Sequence, residues 1–105
     1  MTEARKSMIN AFKLYYSGNN SDNNTVTDKE LEAVKNCLFL LKRIKNGADI
    51  LKAVEDVYIK ADAHGGNVLS RVRRLALELY TSDKQIYRYL KKAENMYIRE
   101  LEMIS

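Results

Sequence analysis

No proline occurs anywhere in these 105 residues, and glycine occurs only four times, at Gly18, Gly47, Gly65 and Gly66. Against alanine in a helix interior, proline costs about 3 kcal/mol and glycine about 1 kcal/mol. The long stretches between these glycines are therefore open to helix, and the glycines become the main punctuation. The fold class this predicts is all-α, a small helical domain. Hydrophobic residues make up 46% and charged residues 30%, which is the balance of a chain that buries a core rather than one that stays disordered. A core of this size is modest, so pairing with a second copy is a natural source of further stability.

Apolar spacing locates the helices. In residues 2–17, Met8, Ile9, Phe12, Tyr15 and Tyr16 recur at intervals of three and four, and Gly18 ends the pattern. Residues 18–25 are polar and Asn-rich without periodicity, the composition of a flexible linker. This division predicts an N-terminal helical appendage over 1–17, a linker over 18–26 and a helical domain over 27–105. The linker is expected to be the first site of mild proteolysis. Thr27 and Glu30 form a capping-box signature ahead of a helix at about 28–46, with Leu31, Val34, Leu38, Leu41 and Ile44 on one face. Phe39 and Leu40 lie off that face, which predicts burial on more than one side, and Gly47 suits the C-terminus. Asp49 is placed to cap a third helix over about 50–62 with Leu51, Val54, Val57, Tyr58 and Ala61 inward. A fourth helix over about 68–79 carries Val68, Val72, Leu75, Ala76 and Leu79. A fifth runs from Asp83 almost to the end on Ile86, Leu90, Ala93, Tyr97, Leu101 and Ile104.

Several functional classes are disfavoured by what the chain lacks. The single cysteine, Cys37, lies in an apolar run and reads as a small buried side chain in a reducing compartment. His64 is the only histidine, beside two glycines, so a His/Cys zinc site is not expected, and no metal or other cofactor is implied. Asp49, Glu55, Asp56 and Asp62 are better explained by capping and solvation than by paired-carboxylate chemistry. Without a phosphate-binding glycine loop or a Ser/His/Asp or Cys/His set, the chain is expected not to be an enzyme. No apolar run approaches the roughly 20 residues that span a bilayer, and the opening MTEARKSMINAF has no signal-peptide core, so a cytoplasmic protein is expected.

Charge is informative through its distribution. Residues 1–68 hold ten Lys/Arg against nine Asp/Glu, whereas residues 71–92 hold seven against two, Glu78 and Asp83. A local surplus of that kind marks a polyanion-binding face. The surplus coincides with two helices separated by a short break at Tyr80-Thr81-Ser82, and Ser82 and Gln85 repeat the capping-box spacing, so the second helix starts abruptly. That is the layout of a helix-turn-helix at about 68–92, whose second helix offers its first turn to base edges. Lys84, Gln85 and Arg88 are the candidate base readers, since Arg and Gln can make paired hydrogen bonds to guanine and adenine. Arg71, Arg73, Arg74, Lys91 and Lys92 are the candidate phosphate contacts. Tyr80, Tyr87, Tyr89 and Tyr97 read as core or rim packing rather than a base-stacking platform.

The run Ser82-Asp-Lys-Gln-Ile-Tyr-Arg-Tyr-Leu-Lys-Lys-Ala93 resembles the recognition helix of sigma region-4-like domains, in which a serine opens the helix before a Tyr-Arg-x-Leu-Lys-Lys-Ala sequence. Ile50–Ile59 is similar to the helix preceding the motif, and Arg74–Leu79 to its first helix. Tyr80 stands where such domains usually carry a turn glycine, and Thr81 where they carry an aliphatic residue. Short regulators of this kind include phage late-transcription activators of the ArpU/RinA type, and the resemblance covers about residues 49–100. It implies a sequence-specific duplex-DNA-binding regulator. Operators are usually read by dimers, which makes a homodimer through the first helix or the C-terminal end of the last one a natural arrangement. The rival reading is a helical adaptor for a protein partner, such as RNA polymerase or a phage component. In that reading Met8, Ile9, Phe12, Tyr15 and Tyr16 form the docking stripe.

Overall fold

The computed structural model describes residues 3–17, 26–60 and 65–104. The linker expected at 18–25, together with Ala61, Asp62 and His64, lies outside them. All regular structure among the described residues is helical. Helix α1 spans Glu3–Ser17, α2 Asp28–Leu41, α3 Gly47–Val54 with a π-helical extension over Glu55–Ile59, α4 Val68–Glu78 and α5 Asp83–Met103.

The helix starts follow local chemistry. Thr27 Oγ1 accepts the Glu30 N–H, and the Glu30 carboxylate accepts the Thr27 N–H at 2.9 Å, so the expected capping box closes from both sides. Asn67 caps α4 by accepting the Ser70 N–H at 2.8 Å. The third helix differs from expectation. It begins at Gly47, with Asn46 rather than Asp49 at the cap position. Gly47 does not close α2, which already ends at Leu41; it opens α3. A Cβ on Gly47 would fall 1.5 Å from the Leu41 carbonyl oxygen, so this glycine is required by close backbone approach. Phe39 also departs from expectation, being half-exposed with the Arg43 guanidinium stacked 4.4 Å over its ring.

One core joins all five helices. It contains Phe12, Val34, Cys37, Leu41, Ile50, Val54, Val57, Val72, Leu75, Ile86, Leu90 and Tyr97, with Met8 and Ala11 fully enclosed beside Phe12. The stripe of α1 is therefore inside the domain, packed on α2 and α5, rather than on an appended helix. Only Tyr15 and Tyr16 of that stripe remain half-exposed, one edge-on to the other. Burial pushes the Cys37 thiol up to about 12, with Glu100 adding to the shift, so at neutral pH it is a small apolar side chain and a poor nucleophile.

Polar contacts fix how α1 sits. Glu94 on α5 is 2% exposed, and its carboxylate meets the Arg5 Nε at 3.3 Å and the Lys91 Nζ at 3.2 Å. Ser7 on α1 donates to Glu30 on α2 and lies 2.7 Å from the Tyr97 hydroxyl on α5. Burial alone would raise the Glu30 carboxyl, but hydrogen bonds from Ser7, Thr27 and Tyr97 outweigh it and hold the group below the ordinary carboxylate value. A depressed folded value means the stabilisation is complete above the unfolded value, near pH 4.5, and is lost as pH falls through the folded one. Glu30→Gln should therefore be less stable than wild type at pH 7, and the gap should narrow below about pH 4. Urea melts at pH 7 and pH 3 check this, and a gap independent of pH would contradict it.

Candidate nucleic-acid interface

Helices α3, α4 and α5 pack on one another at the basic end of the chain. Lys52 on α3 reaches both Asp56, at 3.2 Å, and Glu78 of α4, at 3.0 Å. Arg71 on α4 donates through Nε to the Val57 carbonyl at 2.8 Å and through Nη1 to the Gly66 carbonyl at 2.6 Å. It thereby ties the α3 extension to the start of α4. These bonds hold the platform from which α5 projects.

The four residues 79–82 join α4 to α5. The Thr81 N–H reaches back to the Ala76 carbonyl at 2.8 Å and the Tyr80 N–H to the Leu77 carbonyl at 3.3 Å, the paired bonds of a Schellman close. That close needs a left-handed residue, and Tyr80 supplies it with φ of 53°, the one non-glycine positive φ among the described residues. Its side chain is 98% exposed and gives the fold nothing in return. A non-glycine residue there costs roughly 1–2 kcal/mol, part of which glycine returns as unfolded-chain entropy. Tyr80→Gly should therefore stabilise the domain by about 0.5–1 kcal/mol in urea melts. A loss of stability would contradict this account of the turn. Ser82 then opens α5 by accepting the Gln85 N–H at 3.1 Å, the backbone half of the expected box.

Helix α5 buries Ile86, Leu90, Ala93, Glu94 and Tyr97. At 100° per residue, the opposite side carries Lys84, Arg88, Lys91, Lys92, Asn95 and Arg99, all of them exposed. Between Asp83 and Glu102 no acid is exposed on this helix, because Glu94, the one acid before Glu100, faces inward and Glu100 is half-buried. Among the described residues Lys84, Arg88 and Lys92 make no ion pair, whereas Lys91 lies against Glu94. Gln85 sits partly buried at the flank of the same turn.

The α4 cations are differently placed. Arg71, expected on a phosphate, is engaged with carbonyls inside the fold. Arg74 lines a small cleft with Asp56 and Glu78. Arg73 lies 3.5 Å from Asp83, bridging the turn while remaining largely exposed. The structure thus gathers Lys84, Arg88, Lys91 and Lys92 on one face and keeps Arg71 and Arg74 against α3. Arg99 extends the α5 face although the local charge surplus stops at Lys92; counting helical phase one turn further would have included it. Among the described residues there is no group of three or more His, Cys, Asp or Glu side chains placed to hold a metal ion, and no helix long and apolar enough to cross a membrane.

No family model matches the chain, and neither a curated protein nor a solved structure is similar to it.

Proposed function

We propose that this protein is a cytoplasmic, non-catalytic regulator that binds duplex DNA, with α4, the four-residue turn and α5 acting as a helix-turn-helix of the sigma region-4-like kind found in phage activators. The observation that carries this reading is the exposed face of α5, where Lys84, Arg88, Lys91 and Lys92 stand together with no exposed acid among them. A rigid cationic face along a helix matches the phosphate rows flanking the major groove, which is wide enough to admit a helix. Lys84, Gln85 and Arg88 occupy the first turns and are assigned to base edges. Lys91 and Lys92, further along, are assigned to phosphates, with Arg73 at the turn. The adaptor reading loses most of its docking stripe, because Met8, Ile9 and Phe12 lie in the core.

The test is titration of a fluorescent duplex at two salt concentrations. The three phosphates assigned to Arg73, Lys91 and Lys92 give a log–log salt slope of about −2.7, so affinity should fall about 40-fold between 50 and 200 mM salt. Absence of duplex binding at 50 mM salt, or a slope near zero, would sink the proposal.

A further inference from the structure

The C-terminal ends of α2 and α5 leave a groove of about 610 Å³ between them, lined by the apolar side chains of Leu40, Ile44, Met96 and Met103 and by Arg99 and Glu100, with Asn95 and the phosphate-assigned Lys92 also on its lining. Met103 is 68% exposed, and Phe39 stands half-exposed on the same helix as Leu40. Clustered methionines at an open groove provide an adaptable apolar surface that gains by being covered.

We propose that a second copy of this chain fills this groove, with the C-terminal halves of two α5 helices packed antiparallel about a two-fold axis. Charge is the first argument. The α2–α3 connection is basic, with Lys42, Arg43 and Lys45 exposed and no acid between Glu32 and Asp49, whereas the end of α5 carries Glu100 and Glu102. In a two-fold interface each contact occurs twice with the roles exchanged, so one copy's basic connection meets the other's acidic end on both sides of the axis.

Spacing is the second argument, and it rests on the DNA reading above. An axis that sets Met96 of one copy against Met103 of the other crosses α5 between Arg99 and Glu100. At a rise of 1.5 Å per residue, Arg88 lies about 17 Å from that axis, so the two Arg88 turns stand about 35 Å apart. One turn of duplex DNA is about 34 Å, the separation of the two half-sites read by helix-turn-helix dimers. At 100° per residue Met96 and Met103 lie about 60–80° around the helix from Arg88 and about 100–120° from Lys84, so packing through the methionines turns both first turns to the same side. A parallel pair would bring the two first turns together instead.

Sedimentation equilibrium of the full chain without DNA tests the interface. Wild type should show twice the 12.1 kDa monomer mass at micromolar concentrations. Met103→Glu, at an exposed position, should leave the helical circular dichroism and melting temperature unchanged while weakening the dimer at least about tenfold. Arg43→Glu should weaken it by about the same factor, and Arg43→Glu combined with Glu102→Arg, at the exposed acid of the α5 end, should restore it to within about threefold. A wild type that stays monomeric into the hundreds of micromolar, a Met103→Glu protein that dimerises normally, or a reversal pair that fails to restore the dimer would each overturn the proposal. A dimer that binds no duplex would leave the interface standing and remove the DNA reading. A monomer that binds duplex would remove the interface alone.

Discussion

Phe12→Ala is expected to cost about 3–5 kcal/mol of folding stability, although Phe12 lies on the far side of an Asn-rich stretch from the rest of the domain. Phe12 is 1% exposed and packs beside the fully buried Met8 and Ala11, where α1 meets α2 and α5. Truncation would lose the transfer free energy of the ring and leave a cavity that the surrounding helices cannot close, because Arg5 and Ser7 pin α1 through Glu94, Glu30 and Tyr97. Small domains hold only about 5–15 kcal/mol in all, so this single change should lower the melting temperature by on the order of 15 °C. Tyr15→Ala, three residues along the same helix but half-exposed, should cost less than about 1 kcal/mol. Thermal melts of the two variants separate the cases: if both shift equally little, α1 is not part of the cooperative unit.

The contrast between those two residues shows where sequence reading succeeds and stops. Spacing of three and four marks α1 as amphipathic, and the same pattern places Ile86, Leu90, Ala93 and Tyr97 inward on α5, where they are found. Spacing does not say what an apolar stripe buries against, and the polar composition of 18–25 pointed to a separate helix. The partner surface exists only once α2 and α5 have come together. Gly47 makes the same point for a turn. A glycine after an apolar run suits a helix end, yet its role is set by the Leu41 carbonyl that folds back over it. Capping boxes are legible because they are local, and the one at Thr27 closes as its spacing predicts.

The basic face divides along the same line. Charge counting marks the segment that carries the exposed cations of α5, but it weighs Arg71 and Lys92 alike. Only the packed structure shows that Arg71 is held by the Val57 and Gly66 carbonyls while Lys92 faces outward. Glu94 is the converse case: an acid inside a basic run, which would have diluted the face had it pointed outward. Its burial turns it into an anchor for Arg5 and leaves only Lys91 partly neutralised.

Replacing Lys84, Arg88, Lys91 and Lys92 together with alanine should reduce affinity for a selected duplex by more than about 1,000-fold at low salt and flatten the salt slope by about 1.8 units, the share of the phosphate contacts Lys91 and Lys92. All four side chains are exposed, and Glu94 keeps Arg5 when Lys91 is removed, so the fold should persist with a modest drop in melting temperature that Lys91→Ala alone reproduces, and the remaining loss can be read as lost binding. Taken singly, the four should separate by position. Arg88 stands one turn into α5, where the proposed docking would bring its guanidinium to a guanine edge. Arg88→Ala should therefore cost about 1–3 kcal/mol on a selected site and much less on random duplex, and Gln85→Ala should behave likewise toward adenine. Lys92 lies a further turn along, where the helix has risen toward the backbone. Lys92→Ala should weaken both duplexes equally and lower the salt slope by about one unit. Lys91 shares its charge with Glu94, so Lys91→Ala should change the slope less than Lys92→Ala does. Arg71→Ala should act mainly on stability, since it removes bonds to the Val57 and Gly66 carbonyls rather than a contact to DNA. If Arg88→Ala and Lys92→Ala lose affinity identically on selected and random duplex, α5 is an electrostatic docking face and not a recognition helix.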